Sequence, residues 1–218
     1  MTQEYRQNVY QPPKGAVDLL LIRHGESAAA RPGESFPIKD GHGDPALHEA
    51  GRAQAIAVGE YLKHRPITAI YVTTLQRTHQ TAAPLAAHLG LKPVVEPDLR
   101  EVYMGDWEGG LHRIKSAEGD PVIARVEQNH EWGEVPGAET TAQLQARVRK
   151  GLMRIAALHA DELVAVFVHG GVIGAALALA SGSVGFAFNG AANGSVSRLV
   201  IHGETMKVRG FNDISHLA

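Results

Sequence analysis

A chain of 218 residues, 44% of them apolar, has the material for one well-filled domain. Its net charge of −2 and pI near 6.6 leave no basic field of the kind that nucleic-acid binding needs. It contains no cysteine, which excludes a disulfide framework, a thiolate zinc site and a cysteine nucleophile, and is compatible with a cytoplasmic location.

Residues 1–16, with Pro12 and Pro13, read as a tail without regular structure. They carry no apolar stretch, so no signal peptide is expected. The run 17–22 predicts a buried strand. A polar loop rich in Gly and Pro follows, over 31–45. A helix is predicted over 47–64, with Leu47, Ala50, Ala53, Ile56, Ala57 and Tyr61 near one apolar face. Residues 67–72 are β-branched and predict a second strand. A helix over 75–89 should end at Gly90, and 91–95 should form a short strand. Residues 97–137 are irregular, with short helices predicted around 111–117 and 120–130. A long helix is predicted over 140–159 and the most strand-like run of the chain is 163–168. A further helix and two strands, near 195–201 and 205–210, complete the reading.

From 170 to 197 there is no charged residue, which is long enough to span a bilayer. Ala, Gly, Ser181, Ser183, Asn189 and Asn193 make it a weak transmembrane signal, and a buried helix followed by a loop is the better reading. No membrane association is expected. Strands alternating with helices, and strands apolar on both faces, predict an α/β sheet covered on both sides. The domain organisation is a tail, 1–16, and a single domain, 17–218, with an irregular lid over 102–137.

In such sheets ligands bind beyond the carboxyl ends of the strands. Two predicted strands end there in a histidine followed by glycine: Arg23-His24-Gly25-Glu26 and Val168-His169-Gly170-Gly171. Phosphoryl transfer without a metal needs a nucleophile, donors for the phosphoryl oxygens and an acid for the leaving oxygen. A neutral imidazole at His24 can attack phosphorus if its other nitrogen holds the proton, against a backbone carbonyl for example. Arg23 is a forked cationic donor beside it, and Gly25 leaves room for a phosphate. The helix after His169 presents N–H groups to an anion. Arg77, at the start of the 75–89 helix, can clamp a phosphate from the same edge. The loop Leu99–Gly109 supplies carboxylates there, and the residues alone do not choose between Glu101 and Glu108 as the acid. Each piece has a plainer reading, as a core histidine or a solvated charge; the pieces together are more specific.

These segments, with Asp44-Pro45-Ala46-Leu47, Gly51-Arg52-Ala53-Gln54-Ala55, Pro136-Gly137-Ala138-Glu139-Thr140 and Asn212-Asp213-Ile214-Ser215-His216-Leu217, occur in the order of the histidine phosphatase superfamily, also called phosphoglycerate-mutase-like. The chain resembles its phosphatase branch from Val17 to Leu217. The resemblance implies a three-layer α/β/α sandwich around a largely parallel sheet. It implies that His24 becomes a phosphohistidine, that Arg23, Arg77 and His169 hold the phosphoryl oxygens, and that Glu101 is the general acid, so that His24, Glu101 and His169 form the catalytic set. The activity implied is that of a histidine acid-type phosphatase, a phosphoric monoester hydrolase acting on a small phosphorylated metabolite, with no metal and no cofactor. A homodimer is compatible with this reading.

The chain departs from the family in three places, one of them the unusual loop Pro32–Gly43. No asparagine follows Ser27-Ala28-Ala29-Ala30, where the family often has one that contacts phosphate. His48 stands where the family often has Thr, so the 47–64 helix should lose a good N-cap. The alternative activities are a phosphoglycerate mutase, a non-catalytic phospho-ligand-binding module and a metal hydrolase. Mutases of the family carry a longer insertion than the 68 positions from Glu101 to His169. The 12 histidines are scattered without a metal-binding motif. From Glu108 to Gly137 there are six acidic and three basic residues, Arg113, Lys115 and Arg125. A lid of that balance should repel a multiply phosphorylated substrate, unless the basic residues turn inward.

Overall fold

The apolar run predicted as a buried strand forms β1 (Val17–Arg23), and its side chains alternate between two cores. The computed structural model describes residues 3–217; the outermost positions of the tail and the domain, 1, 2 and 218, lie outside the described residues. Leu19 and Leu21 face one way, with Val164, Val166 and Val168 of β6 (Leu163–Val168). They pack under Leu144, Val148, Leu152 and Ile155 of α5 (Thr141–Leu158) and Val172 and Ile173 of α6 (Gly170–Ser181). Leu20 and Ile22 face the other way with Ala165 and Phe167. They meet Val58 and Leu62 of α1 (Glu49–Leu62) and Ala82 and Leu85 of α2 (Gln76–Leu89). The result is the three-layer α/β/α sandwich.

The sheet also contains β4 (Ile67–Val72), β5 (Val94–Val95), β7 (Val196–His202) and β8 (Thr205–Asp213). Its order is β5-β4-β6-β1-β7-β8. The first four strands run parallel, and β7 and β8 add an antiparallel edge. A separate two-stranded hairpin, β2 (Ile38–Lys39) and β3 (His42–Gly43), lies inside the polar loop predicted over 31–45. The predicted 91–95 strand is only two residues long. The lid carries α3 (Leu111–Glu118) and α4 (Pro121–Asn129), close to the predicted positions. Thr140 and Gln143 form a reciprocal capping box at the start of α5.

The predicted face of α1 is corrected. Its buried residues are Gly51, Ala55, Val58, Gly59 and Leu62, while Ile56 is 59% exposed and Tyr61 44%. A Cβ on Gly59 would stand 2.9 Å from Pro84 Cβ, so small residues set the contact with α2. The N-cap expectation is corrected too: His48 Nδ1 accepts from Ala50 N at 3.4 Å, so an imidazole takes over the missing hydroxyl's place. The described part of the tail has no helix or strand, but it is not free of the body. Gly15 N donates to Asp161, and the Arg209 guanidinium lies 3.6 Å from the Tyr10 ring centre. Among the described residues no helix is long and apolar enough to cross a membrane. The uncharged 170–197 stretch is α6, a loop and the start of β7.

Candidate active site

Parallel pairing of β1 and β6 brings the two strand-end histidines together. His24 N donates to Val168 O at 3.0 Å, and the His24 and His169 ring centres are 5.1 Å apart. The His24 ring has an unambiguous protonation pattern. Nδ1 lies 2.7 Å from Gly25 O, which can only accept, so Nδ1 carries the proton. Nε2 lies 3.2 Å from Arg77 Nε, which can only donate, so Nε2 keeps its lone pair. Burial, with Arg77 and Arg23 close by, holds the His24 pKa well below the usual 6.5.

Arg77 enters from the first turn of α2 and is buried. Its Nη1 donates to Gly43 O at 3.0 Å, with Asp44 Oδ1 at 3.8 Å. Arg23 ends β1; Nη1 donates to Ala191 O at 2.5 Å, while its buried Nε has no partner among the described residues. His169 is fully buried. Its Nε2 meets Thr73 Oγ1 at 3.0 Å and its Nδ1 has no partner among the described residues. Burial and Arg77 push its pKa well below 6.5 as well. Burial also lowers the pKa of Arg23 and Arg77, but a guanidinium in a protein stays charged.

The two candidate acids differ in what is left free. Glu108 uses both oxygens on the backbone, Oε2 accepting from Gly43 N at 2.6 Å and Oε1 from Met104 N at 2.9 Å. It braces the lid against the hairpin. Glu101 uses one: Oε1 accepts from Gly171 N at 3.1 Å and Val102 N at 3.0 Å. The start of α6 was expected to meet a ligand anion, but its Gly171 amide is taken by this carboxylate. Gly25 also has a different duty from the one expected. A Cβ there would fall 2.4 Å from Gly51 O, so the glycine admits the N-terminus of α1 rather than a phosphate.

His24, Arg23, Arg77 and Glu101 thus line one cavity of about 400 Å³, walled by Trp107, His112 and Trp132 of the lid; His169 lies beneath it, against His24. A second cavity of about 700 Å³ shares Arg23 and His24 with it. Arg113 of α3 borders both. It donates to Ser27 Oγ at 2.7 Å and Ala28 O at 3.0 Å, beside the alanines that stand where the family often has asparagine. Lys115 and Arg125 pair with Asp120 and Glu134 instead. The expectation of a uniformly repelling lid is therefore overturned at Arg113, because the charge count treated α3 as a solvated face.

Sequence reasoning missed Arg113, Thr73, and Asn193, whose Nδ2 donates to His24 O at 2.9 Å. Thr73 follows β4 directly, so the strand-end rule that found the histidines could have found it. Among the described residues no group of three His, Cys, Asp or Glu could hold a metal ion.

The family model of the histidine phosphatase superfamily, branch 1, matches residues 19–214. "Phosphoglycerate mutase-like protein 4" of Arabidopsis thaliana is 33% identical over 159 residues, 72% of this chain and 67% of that protein. The "metal-independent phosphoserine phosphatase" of the same plant is 31% identical over 210 residues, 92% of this chain and 83% of that protein. Other, mycobacterial relatives are longer, and this chain spans 40% of their length. Among solved structures, a mycobacterial glucosyl-3-phosphoglycerate phosphatase superposes with a TM-score of 0.75 at 29% identity, over 90% of this chain and 99% of that one.

Proposed function

The chain belongs to the histidine phosphatase superfamily, and from that premise we propose that it hydrolyses a small phosphomonoester without a metal, through a phosphohistidine on His24. The observation that carries the reading is the His24 ring, with its proton held on Nδ1 by Gly25 and its Nε2 lone pair turned to Arg77 in the cavity. In the first step Nε2 attacks phosphorus and the bond to the leaving oxygen breaks. Arg23 and Arg77 take phosphoryl oxygens with charged donors, and His169 adds a third donor in the tautomer that carries its proton on Nδ1, the nitrogen left unpartnered among the described residues. Protonated Glu101 gives its proton, from the free Oε2, to the leaving oxygen. In the second step the Glu101 carboxylate takes a proton from water as the water oxygen attacks phosphorus. The P–N bond breaks and the electron pair returns to Nε2. A nucleophile that resists protonation supports work in acid, as a histidine acid-type phosphatase would require.

A mutase would share the first step and hand the phosphoryl group to a second hydroxyl. Relatives named for both activities make this the second reading. The short stretch from Glu101 to His169 favours water. The test is hydrolysis of p-nitrophenyl phosphate in excess chelator by the wild type and by His24→Ala. Turnover that survives chelation and falls to background in the variant is expected. Loss on chelation would point to a metal hydrolase, and an active variant to another nucleophile. A wild type that binds phosphomonoesters and turns none over would be a binding module.

A further inference from the structure

Arg147 lies on α5, outside the cavity wall, and directs all of its donor atoms to one stretch of chain and the carboxylate that braces it. Nη1 donates to the carbonyls of Asp98 at 2.9 Å and Arg100 at 2.6 Å. Nη2 donates to the carbonyl of Glu101 at 2.8 Å and to Glu139 Oε1 at 2.5 Å. Nε donates to Glu139 Oε2 at 2.9 Å. Glu139 in turn holds the far side of the loop: its Oε1 accepts from Tyr103 N at 2.8 Å, and its N–H donates to Tyr103 O at 3.0 Å. The planar, bidentate geometry of a guanidinium and a carboxylate therefore spans the backbone from 98 to 103. Residues 100–103 have no helix or strand of their own. His42 Nε2 also lies 3.1 Å from Glu101 O.

We propose that Arg147, braced by Glu139, is a positioning residue for the acid: it fixes the backbone of Glu101 so that the free Oε2 meets the leaving oxygen. The proposal rests on the reading of Glu101 as general acid. Neither side chain lines the catalytic cavity, so neither touches the substrate, and the hydrogen bonds run to the backbone that carries Glu101. General acid catalysis is worth about 10²–10⁴-fold, and a group misplaced by about 1 Å loses on the order of 10² of it.

The leaving group supplies the test. A nitrophenolate departs with little need of a proton, whereas an alkoxide needs one. For Arg147→Lys, kcat/KM on glycerol 2-phosphate should fall on the order of 10²-fold, and on p-nitrophenyl phosphate by less than about tenfold. Glu139→Gln, which keeps an acceptor for Tyr103 N but loses the charge, should fall the same way, less steeply. Glu101→Gln is measured alongside and should show the largest contrast between the two esters. Thermal melting of each variant monitors folding. Equal losses on both esters would make the pair merely structural and overturn the proposal, as would an Arg147→Lys variant with wild-type activity on the alkyl ester. If Glu101→Gln shows the contrast and both brace variants do not, positioning alone is wrong. If Glu101→Gln shows no contrast, the acid reading fails and the proposal falls with it.

Discussion

At the scale of single residues, the proposed phosphoryl transfer depends on the lone pair of His24 Nε2, and protonation removes it. Activity should therefore fall with acid through the pKa of His24. That pKa lies well below 6.5 because the ring is buried beside Arg77 and Arg23. Once corrected for ionisation of the ester, kcat/KM for p-nitrophenyl phosphate should show no acid limb centred near 6.5; such a limb would refute the assignment of an unprotonated resting nucleophile. Arg113 carries a second prediction. It borders both cavities, and a charged hydrogen bond is worth about 1.5–3 kcal/mol. Arg113→Met should raise KM for phosphomonoesters roughly tenfold or more, and an unchanged KM would remove it from the substrate's path. Which residues were legible follows from geometry. His24, His169, Arg23 and Arg77 sit at or just beyond strand ends, where one rule gathers them. Glu101 came only from the family resemblance, because its distinction from Glu108 is a matter of which oxygens the backbone occupies. Arg113 was hidden because α3 has a mixed composition and nothing in its spacing shows which side meets the cavity.

At the scale of elements, helices and strands were legible as objects and less so as surfaces. The strand 67–72 and the helix after it stand where β-branching and Gly90 place them, with Gly90 in the left-handed region at φ 65°. The face of α1 was misread because the packed side is marked by glycines, which a search for apolar spacing passes over. The structure ranks two substitutions in the opposite order from that search. A Cβ on Gly51 would fall 1.9 Å from Glu26 O, against the segment that carries His24. Gly51→Ala should therefore cost about 1–3 kcal/mol in urea unfolding, through overpacking, and reduce kcat as the 24–26 segment is displaced. Ile56→Ala, on the exposed face, should stay within about 0.5 kcal/mol of the wild type. A costly Ile56→Ala with a neutral Gly51→Ala would restore the face that hydrophobic spacing suggests.

At the scale of the whole molecule, the three-layer arrangement was legible because β1 and β6 are apolar on both faces. The antiparallel edge of β7 and β8 and the strand order were not, since neither leaves a local signature. That order sets β6 beside β1 and buries two histidines at the centre of the fold, His24 nearly and His169 completely. Both have pKa values held well below 6.5, so the folded state refuses protons that the unfolded chain accepts. The unfolded state then binds more protons as pH drops through 6.5, and stability must fall with it. Each histidine contributes a slope of up to about 1.4 kcal/mol per pH unit. The carboxylates with lowered pKa, such as Asp120 and Asp213, act only at lower pH, once their own ordinary range is reached. Urea unfolding at pH 7.5, 6.5 and 5.5, in a buffer free of phosphate because a bound anion would stabilise the folded state, should show stability lost chiefly between the last two. Burial lowers the pKa of His112 as well, so His169→Asn, which removes one of three such proton acceptors from the unfolded chain, should reduce the slope by about a third to a half. A wild type equally stable at pH 7.5 and 5.5, or a variant that keeps the full slope, would mean that the histidine pair takes up protons in the folded state and is not the neutral pair that the mechanism requires.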